Sequence, residues 1–163
     1  MDLLEAGTYK GMVIGHQGPN FCAGANLANM IQAIEAGAWE EMNTQVKQVQ
    51  DLLQRVRFSK APVVAAPHHL ALGGGFELLA PAAHRVALGE LYIGAVEVGV
   101  GLIPGAGGNL RLLLNLMENS GSGRMNSFQV AQKAFETIGF AKVATSADEA
   151  TFIGYLLKTD TII

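Results

Sequence analysis

Two glutamates stand beside runs of glycine, and each could do acid–base work. In Leu72-Gly73-Gly74-Gly75-Phe76-Glu77 the glycines precede a stretch that predicts a short helix over Phe76–Ala83. A strand, then glycines, then a helix leaves backbone N–H groups without intrahelical acceptors, and the helix dipole adds to their pull on a negative charge. With no Cβ atoms in the way, a ligand can approach that backbone closely. Glu77 would then lie beside whatever is bound; the alternative is a tight turn whose glutamate is a solvated first-turn residue. Glu97 is the single acid in the apolar, glycine-rich run from Glu97 to Gly108. Burial there disfavours the charged form and raises the carboxyl pKa towards a value useful for proton transfer. Asn20-Phe21-Cys22-Ala23-Gly24-Ala25-Asn26-Leu27 carries small residues that could supply a second backbone donor, or could form a turn and nothing more. Gly105-Ala106-Gly107-Gly108 imitates part of a dinucleotide fingerprint, but the full glycine spacing is missing and Pro104 stands where a strand should run in.

The elements that must position these groups alternate between strand and helix signals. Gly11–Gly15 and Pro62–Pro67 read as buried strands bounded by turn formers, and Arg85–Leu88 as another. Trp39–Val56 places Trp39, Met42, Val46, Val49, Leu52, Leu53 and Val56 on one face of a long amphipathic helix. Asn109–Met117 and Phe128–Ile138 predict further helices, and Ser146-Ala147-Asp148-Glu149 is a capping-box signal for a last one. Ser120–Gly123 reads as a surface loop. This alternation points to α/β.

Composition narrows the function classes. Half of the 163 residues are hydrophobic and 15% are charged, which argues against a disordered chain. The net charge of −3, without a cluster of Lys and Arg, argues against nucleic acid. The most apolar region, Ala61–Ala83, is interrupted by His68, His69, Glu77 and three prolines, so it is expected to be core and not a membrane span. Cys22 is the single cysteine, which fits a reducing, cytoplasmic compartment, and no basic, apolar leader opens the sequence. His68, His69 and His84 have no carboxylate or thiol at metal spacing, so no metal is expected. Trp39, Met30, Met42 and Met117 are expected in the core, Cys22 as a small packed hydrophobe, and His16 as a solvated turn residue.

Four segments in order, Phe21–Leu27, Lys60–Ala66, Ala71–Leu78 and Val96–Gly108, resemble the crotonase (enoyl-CoA hydratase/isomerase) superfamily. Within it the likeness is greatest to the hydratase-like region of bacterial multidomain 3-hydroxyacyl-CoA dehydrogenases, through Leu79–His84, Val96–Gly105, Phe135–Ile138 and Ala141–Val143. The resemblance implies an α/β, crotonase-like (ClpP/crotonase) ββα-spiral core. It also implies one partial domain over 1–163, truncated at both ends, with a motif-bearing core of about 11–117 and a helical segment of about 124–157.

By the same resemblance, Ala25 and Gly74 would supply the two N–H donors of an oxyanion hole. Glu77 and Glu97 would be the catalytic acid/base pair for syn addition of water to a trans-2-enoyl-CoA. Gly105 would help hold the water, Ala23 would contact CoA, and Gly24 and Gly73 would complete the substrate-binding backbone. Asn26 stands where the family has Asp, and His69 where it has Gly, either crowding the acyl pocket or packing in a layer. The implied partner is an acyl-CoA thioester, with no nucleic acid and no membrane, and the full-length protein would be a homo-oligomer. No cofactor is expected in this chain, since CoA belongs to the substrate and NAD would belong to a separate upstream domain. Isomerases of the family typically keep only the residue matching Glu97. A Δ3-Δ2-enoyl-CoA isomerase, a non-catalytic acyl-CoA-binding module and a nicotinamide-binding domain remain the other readings.

Overall fold

The computed structural model of the protein describes residues 1–121 and 125–163. Its short strands fall into two sheets. The first holds β1 (Met12–Ile14), β2 (Val63–Ala65), β4 (His84–Ala87) and β7 (Thr161–Ile162), in the order β1-β2-β4-β7 and all parallel. The second holds β3 (His69–Leu72), β5 (Leu91–Gly94) and β6 (Val143–Ala144), with β6 antiparallel to β5. Around them lie α1 (Asp2–Glu5), α2 (Leu27–Glu35), α3 (Trp39–Arg57), α4 (Gly74–Leu79), α5 (Gly108–Ser120), α6 (Ser127–Gly139) and α7 (Ala147–Ile153).

The chain gives one strand to each sheet before each central helix. β2 joins the first sheet and β3 the second, and α4 follows; β4 and β5 repeat the step, ahead of a 3-10 turn at Glu97–Val100 and then α5. This is the ββα progression that the resemblance implies. Its consequence is local: β3 and β5 are parallel neighbours in register from His69 opposite Leu91 to Leu72 opposite Gly94. Whatever leaves the end of β3 therefore emerges beside whatever leaves the end of β5.

Apolar burial fixes that arrangement. Phe76 and Leu79 of α4, Leu91 and Ile93 of β5, Leu112 and Leu116 of α5, and Tyr155 and Leu156 form one contiguous core. Each such side chain contributes roughly 1.5–3 kcal/mol when fully buried. Two asparagines on α5, Asn115 buried and Asn119 half-buried, hold α7 and the segment after it: Asn115 donates to the carbonyl oxygens of Gly154 (3.1 Å) and Tyr155 (3.3 Å). Asn119 donates to those of Thr151 (3.1 Å) and Leu156 (2.8 Å). Arg85 of β4 is 2% exposed and donates through Nε to Asp160 Oδ2 at 2.8 Å, just ahead of β7.

Several expectations change in the folded chain. The strand at Gly11–Gly15 is present as β1, but as an edge strand with Val13 71% exposed, so it is not buried. The helix expected over Phe76–Ala83 begins earlier, at Gly74, and stops at Leu79, because Pro81 lacks the N–H that the next turn would need. Trp39 and Met117 are exposed rather than core residues, while Met30 and Met42 line a cleft. Only Leu53 and Val56 of the long α3 face are buried; Val46, Val49 and Leu52 stay substantially exposed. The Ser146 side chain caps α7 by accepting from the Glu149 N–H, but Glu149 bonds back to Thr145 and so completes no reciprocal box. The full box lies at α6, between Asn126 and Gln129. Ser122 and Gly123 of the expected surface loop, and Arg124 at the start of the expected helical segment, lie outside the described residues. Among the described residues no helix is long and apolar enough to cross a membrane.

Candidate active site

The backbone donors are brought together by one stitched segment. Cys22 forms a parallel bridge with Ala71 of β3; its N–H donates to Leu70 O (2.9 Å), and its carbonyl accepts from Leu72 N–H (3.0 Å). Chain 22–25 is thereby laid along the end of β3. Gly75 makes this possible: a β-carbon there would fall 2.2 Å from the Cys22 carbonyl oxygen, which no side chain tolerates. Gly24 consequently lies against Gly74, with a β-carbon position 3.5 Å from the Gly74 nitrogen. Gly74 opens α4, so its N–H has no acceptor within the helix. Neither it nor the Ala25 N–H makes a backbone hydrogen bond among the described residues. Six residues make α4 a minor dipole.

Glu77 is buried, 5% exposed, which removes the solvated-turn reading. Its Oε1 accepts from the N–H groups of Ala106 and Gly108, both at 2.8 Å. The glycine-rich stretch 105–108 thus serves as a cradle for a carboxylate, a use that does not depend on the dinucleotide spacing. Burial pushes the Glu77 carboxyl above its ordinary range, against the pull of the Gly108, Ala106 and Gly107 N–H groups. Gln50 of α3 donates to the Gly105 carbonyl oxygen at 2.7 Å and ties this cradle to the helix behind it.

Glu97 opens the 3-10 turn that follows β5, so strand register delivers it to the end of β3. The Gly73 N–H donates to Gly94 O at 2.7 Å, and a β-carbon on Gly73 would sit 3.2 Å from Glu97 Oε1. Gly73 has φ +55° and ψ −122°, a conformation that glycine alone adopts freely. Glu97 Oε2 is buried without a hydrogen-bond partner. Burial raises this carboxyl too; its own N–H opposes the shift and the Glu77 charge adds to it.

A cleft of about 910 Å³ opens between α2, α3 and the start of α4. Gly24, Ala25, Gly74, Glu77 and Gly105 line it together with Cys22 and apolar side chains such as Met30, Met42 and Val46. Ala23, Gly73 and Glu97 are not among its walls: Ala23 is exposed, and Gly73 and Glu97 pack on each other beside Gly74. His69 also lies off the cleft, edge-on to His68 with ring centroids 5.8 Å apart, so it packs and does not crowd the pocket. The Ala106 and Gly108 donors and Gln50 were not anticipated. The Gly105–Gly108 run was the available signal for the first two, and a mid-helix glutamine offered none.

Residues 6–141 match the family model described as enoyl-CoA hydratase/isomerase. A Bacillus subtilis (strain 168) protein described as a probable 3-hydroxyacyl-CoA dehydrogenase is 46% identical over 154 residues, 94% of this chain and 19% of its own length. The fatty acid oxidation complex subunit alpha of Vibrio parahaemolyticus is 39% identical over 113 residues, 68% of this chain and 16% of its own. The crystal structure of an enoyl-CoA hydratase from Bacillus anthracis superposes with a TM-score of 0.76 at 28% identity, covering 99% of this chain and 55% of that one. The chain therefore spans under a fifth of these two relatives and just over half of the solved structure.

Proposed function

The chain belongs to the enoyl-CoA hydratase/isomerase family, and from that premise we propose that it adds water to trans-2-enoyl-CoA thioesters in fatty-acid β-oxidation. The names carried by the Bacillus subtilis and Vibrio relatives support the metabolic setting. The observation that carries the chemistry is the unequal setting of two neighbouring carboxyls. Glu77 already accepts two N–H bonds on Oε1, whereas Glu97 Oε2 is buried and unpaired. Burial raises both carboxyls; in this reading the hydrogen-bonded one takes the ionised role and the unpaired one the protonated role.

In this reading the Ala25 and Gly74 N–H groups receive the thioester carbonyl oxygen and hold the charge that develops there. Glu77, ionised, takes a proton from water while the water oxygen bonds to Cβ of the substrate. The electron pair of the C=C bond moves into the enolate. Glu97, protonated, then gives its proton to Cα as the thioester carbonyl re-forms. The product is a 3-hydroxyacyl thioester, with Glu77 protonated and Glu97 ionised, and proton exchange with solvent restores the starting state. The addition is redox-neutral and draws on no cofactor of this chain.

Hydration of crotonyl-CoA, followed by loss of enoyl-thioester absorbance, tests this. Glu97→Gln and Glu77→Gln should each lower kcat by about 10²–10⁴-fold, the usual worth of a positioned acid or base, with thioester binding by calorimetry retained. Glu97→Gln turning over at the wild-type rate would overturn the assignment. Wild-type turnover of a 3-enoyl-CoA without hydration of the 2-enoyl-CoA would favour an isomerase, and wild-type binding without turnover would favour a binding module.

A further inference from the structure

Strands β5 and β6 are paired only at Ile93–Ala144 and Gly94–Val143, and beyond Gly94 their backbones part. Close approach at the last pair is forced by Gly94, where a β-carbon would lie 2.8 Å from the Lys142 carbonyl oxygen. One residue further on, Tyr155 fills the gap. Its hydroxyl donates to the Lys142 carbonyl oxygen at 2.7 Å and accepts from the Ala95 N–H at 3.1 Å. The phenol oxygen thus stands between two backbone groups that no longer reach each other. Two residues after Ala95 comes Glu97.

The same side chain touches the other glutamate's helix. The Tyr155 ring meets Phe76 edge to face, centroids 4.9 Å apart, and Phe76 is the residue before Glu77. Tyr155 is itself completely buried, and Asn115 holds its backbone carbonyl. Burial and the nearby Glu97 charge push its phenol up to about 12, against the Ala95 N–H, so it remains a neutral donor over the working range.

We propose that Tyr155 is a positioning residue for Glu97: its hydroxyl spans the parting ends of β5 and β6 and so sets where the Glu97 turn leaves the sheet. This role rests on the hydratase reading above, which makes Glu97 the proton donor to Cα. A hydroxyl that bonds two backbone groups has no spare proton for substrate, so its effect passes through the geometry and burial of Glu97.

The test is Tyr155→Phe in the whole chain, which keeps the ring on Phe76 and removes the bridge. Two readouts run together, ¹³C-carboxyl NMR titration of the glutamates and the pH–rate profile of crotonyl-CoA hydration. Loosening the turn lets water reach Glu97, so its titration midpoint should fall while that of Glu77 stays put. Turnover should drop about tenfold with KM unchanged, since a misplaced catalytic group costs rate, not binding. Gly94→Ala, which forces the same junction open from the strand side, is the second variant and should shift Glu97 in the same direction. Either variant, folded by near-UV circular dichroism, with both the Glu97 midpoint and turnover at wild-type values would overturn the role. If the wild-type chain hydrates no enoyl thioester, the functional reading falls, and the Glu97 titration alone decides the role of Tyr155.

Discussion

The two glutamate-bearing segments are built on opposite principles. Glu77 sits inside α4, in the core, and a separate loop donates two N–H groups to one of its oxygens. Glu97 sits on a 3-10 turn whose following residues, Val98 to Val100, are exposed, and its buried oxygen has no partner. One carboxyl is clamped by neighbours; the other is merely enclosed. Burial raises both carboxyls, and around Glu77 backbone N–H groups oppose that shift and fix the direction of the side chain. The difference shows how two residues of identical chemistry acquire different hydrogen-bonding surroundings from packing alone.

That contrast can be broken most severely at Gly75, which lies in α4 two residues before Glu77. Gly75→Ala would drive a β-carbon into the Cys22 carbonyl and push chain 22–25 off β3. Urea unfolding should register a loss of about 3 kcal/mol or more, the upper range for overpacking. Wild-type stability would mean that the stitched segment does not set the site.

The next effect separates the two sides. Alanine at Gly108 would place a β-carbon 3.0 Å from Glu77 Cγ and 3.1 Å from Oε1, so the carboxylate has to swing out of its cradle. Gly108→Ala should cost about 1–3 kcal/mol from unsatisfied buried groups and slow hydration. Alanine at Gly99, beside Glu97, would meet nothing within 4 Å, and Gly99→Ala should stay within about 0.5 kcal/mol of the parent, as surface changes do. Equal losses would erase the distinction between a clamped and an open segment.

The smallest effect is in the pH dependence of stability. The folded-state pKa of Glu97 is raised above the ordinary 4.5, so the folded chain holds that proton where the unfolded chain has released it. Stability should therefore fall as pH climbs from the ordinary value through the raised one. Glu97→Gln removes this slope, and unfolding curves from about pH 4 to about pH 8 should be flatter than those of the parent. Glu77 has the same sign, so Glu77→Gln should flatten the curve as well. Variant curves as steep as the parent's would contradict the raised carboxyls.

The sequence exposed some of these relations and concealed others for physical reasons. α3 and α5 were legible because a long amphipathic period is a strong signal, and the glycine run before Glu77 marked a close backbone approach. All the strands are two to four residues long, too short for alternation to declare itself, and β1 and β2 stood out only through the turn formers that bound them. Burial was misjudged where tertiary partners decide it: Val13 lies on an edge, and the apolar face of α3 borders a cleft. The Glu77 cradle lies 29 and 31 residues away in sequence, and the Tyr155 hydroxyl lies 60 residues from Ala95. Beyond the Gly105–Gly108 run, no local pattern encodes such partners.

The buried Arg85–Asp160 pair has a kinetic meaning as well. It joins β4 to the turn before β7 across 75 residues, so it can form only after a long loop has closed. Such closure must overcome chain entropy before the contact returns any stabilisation.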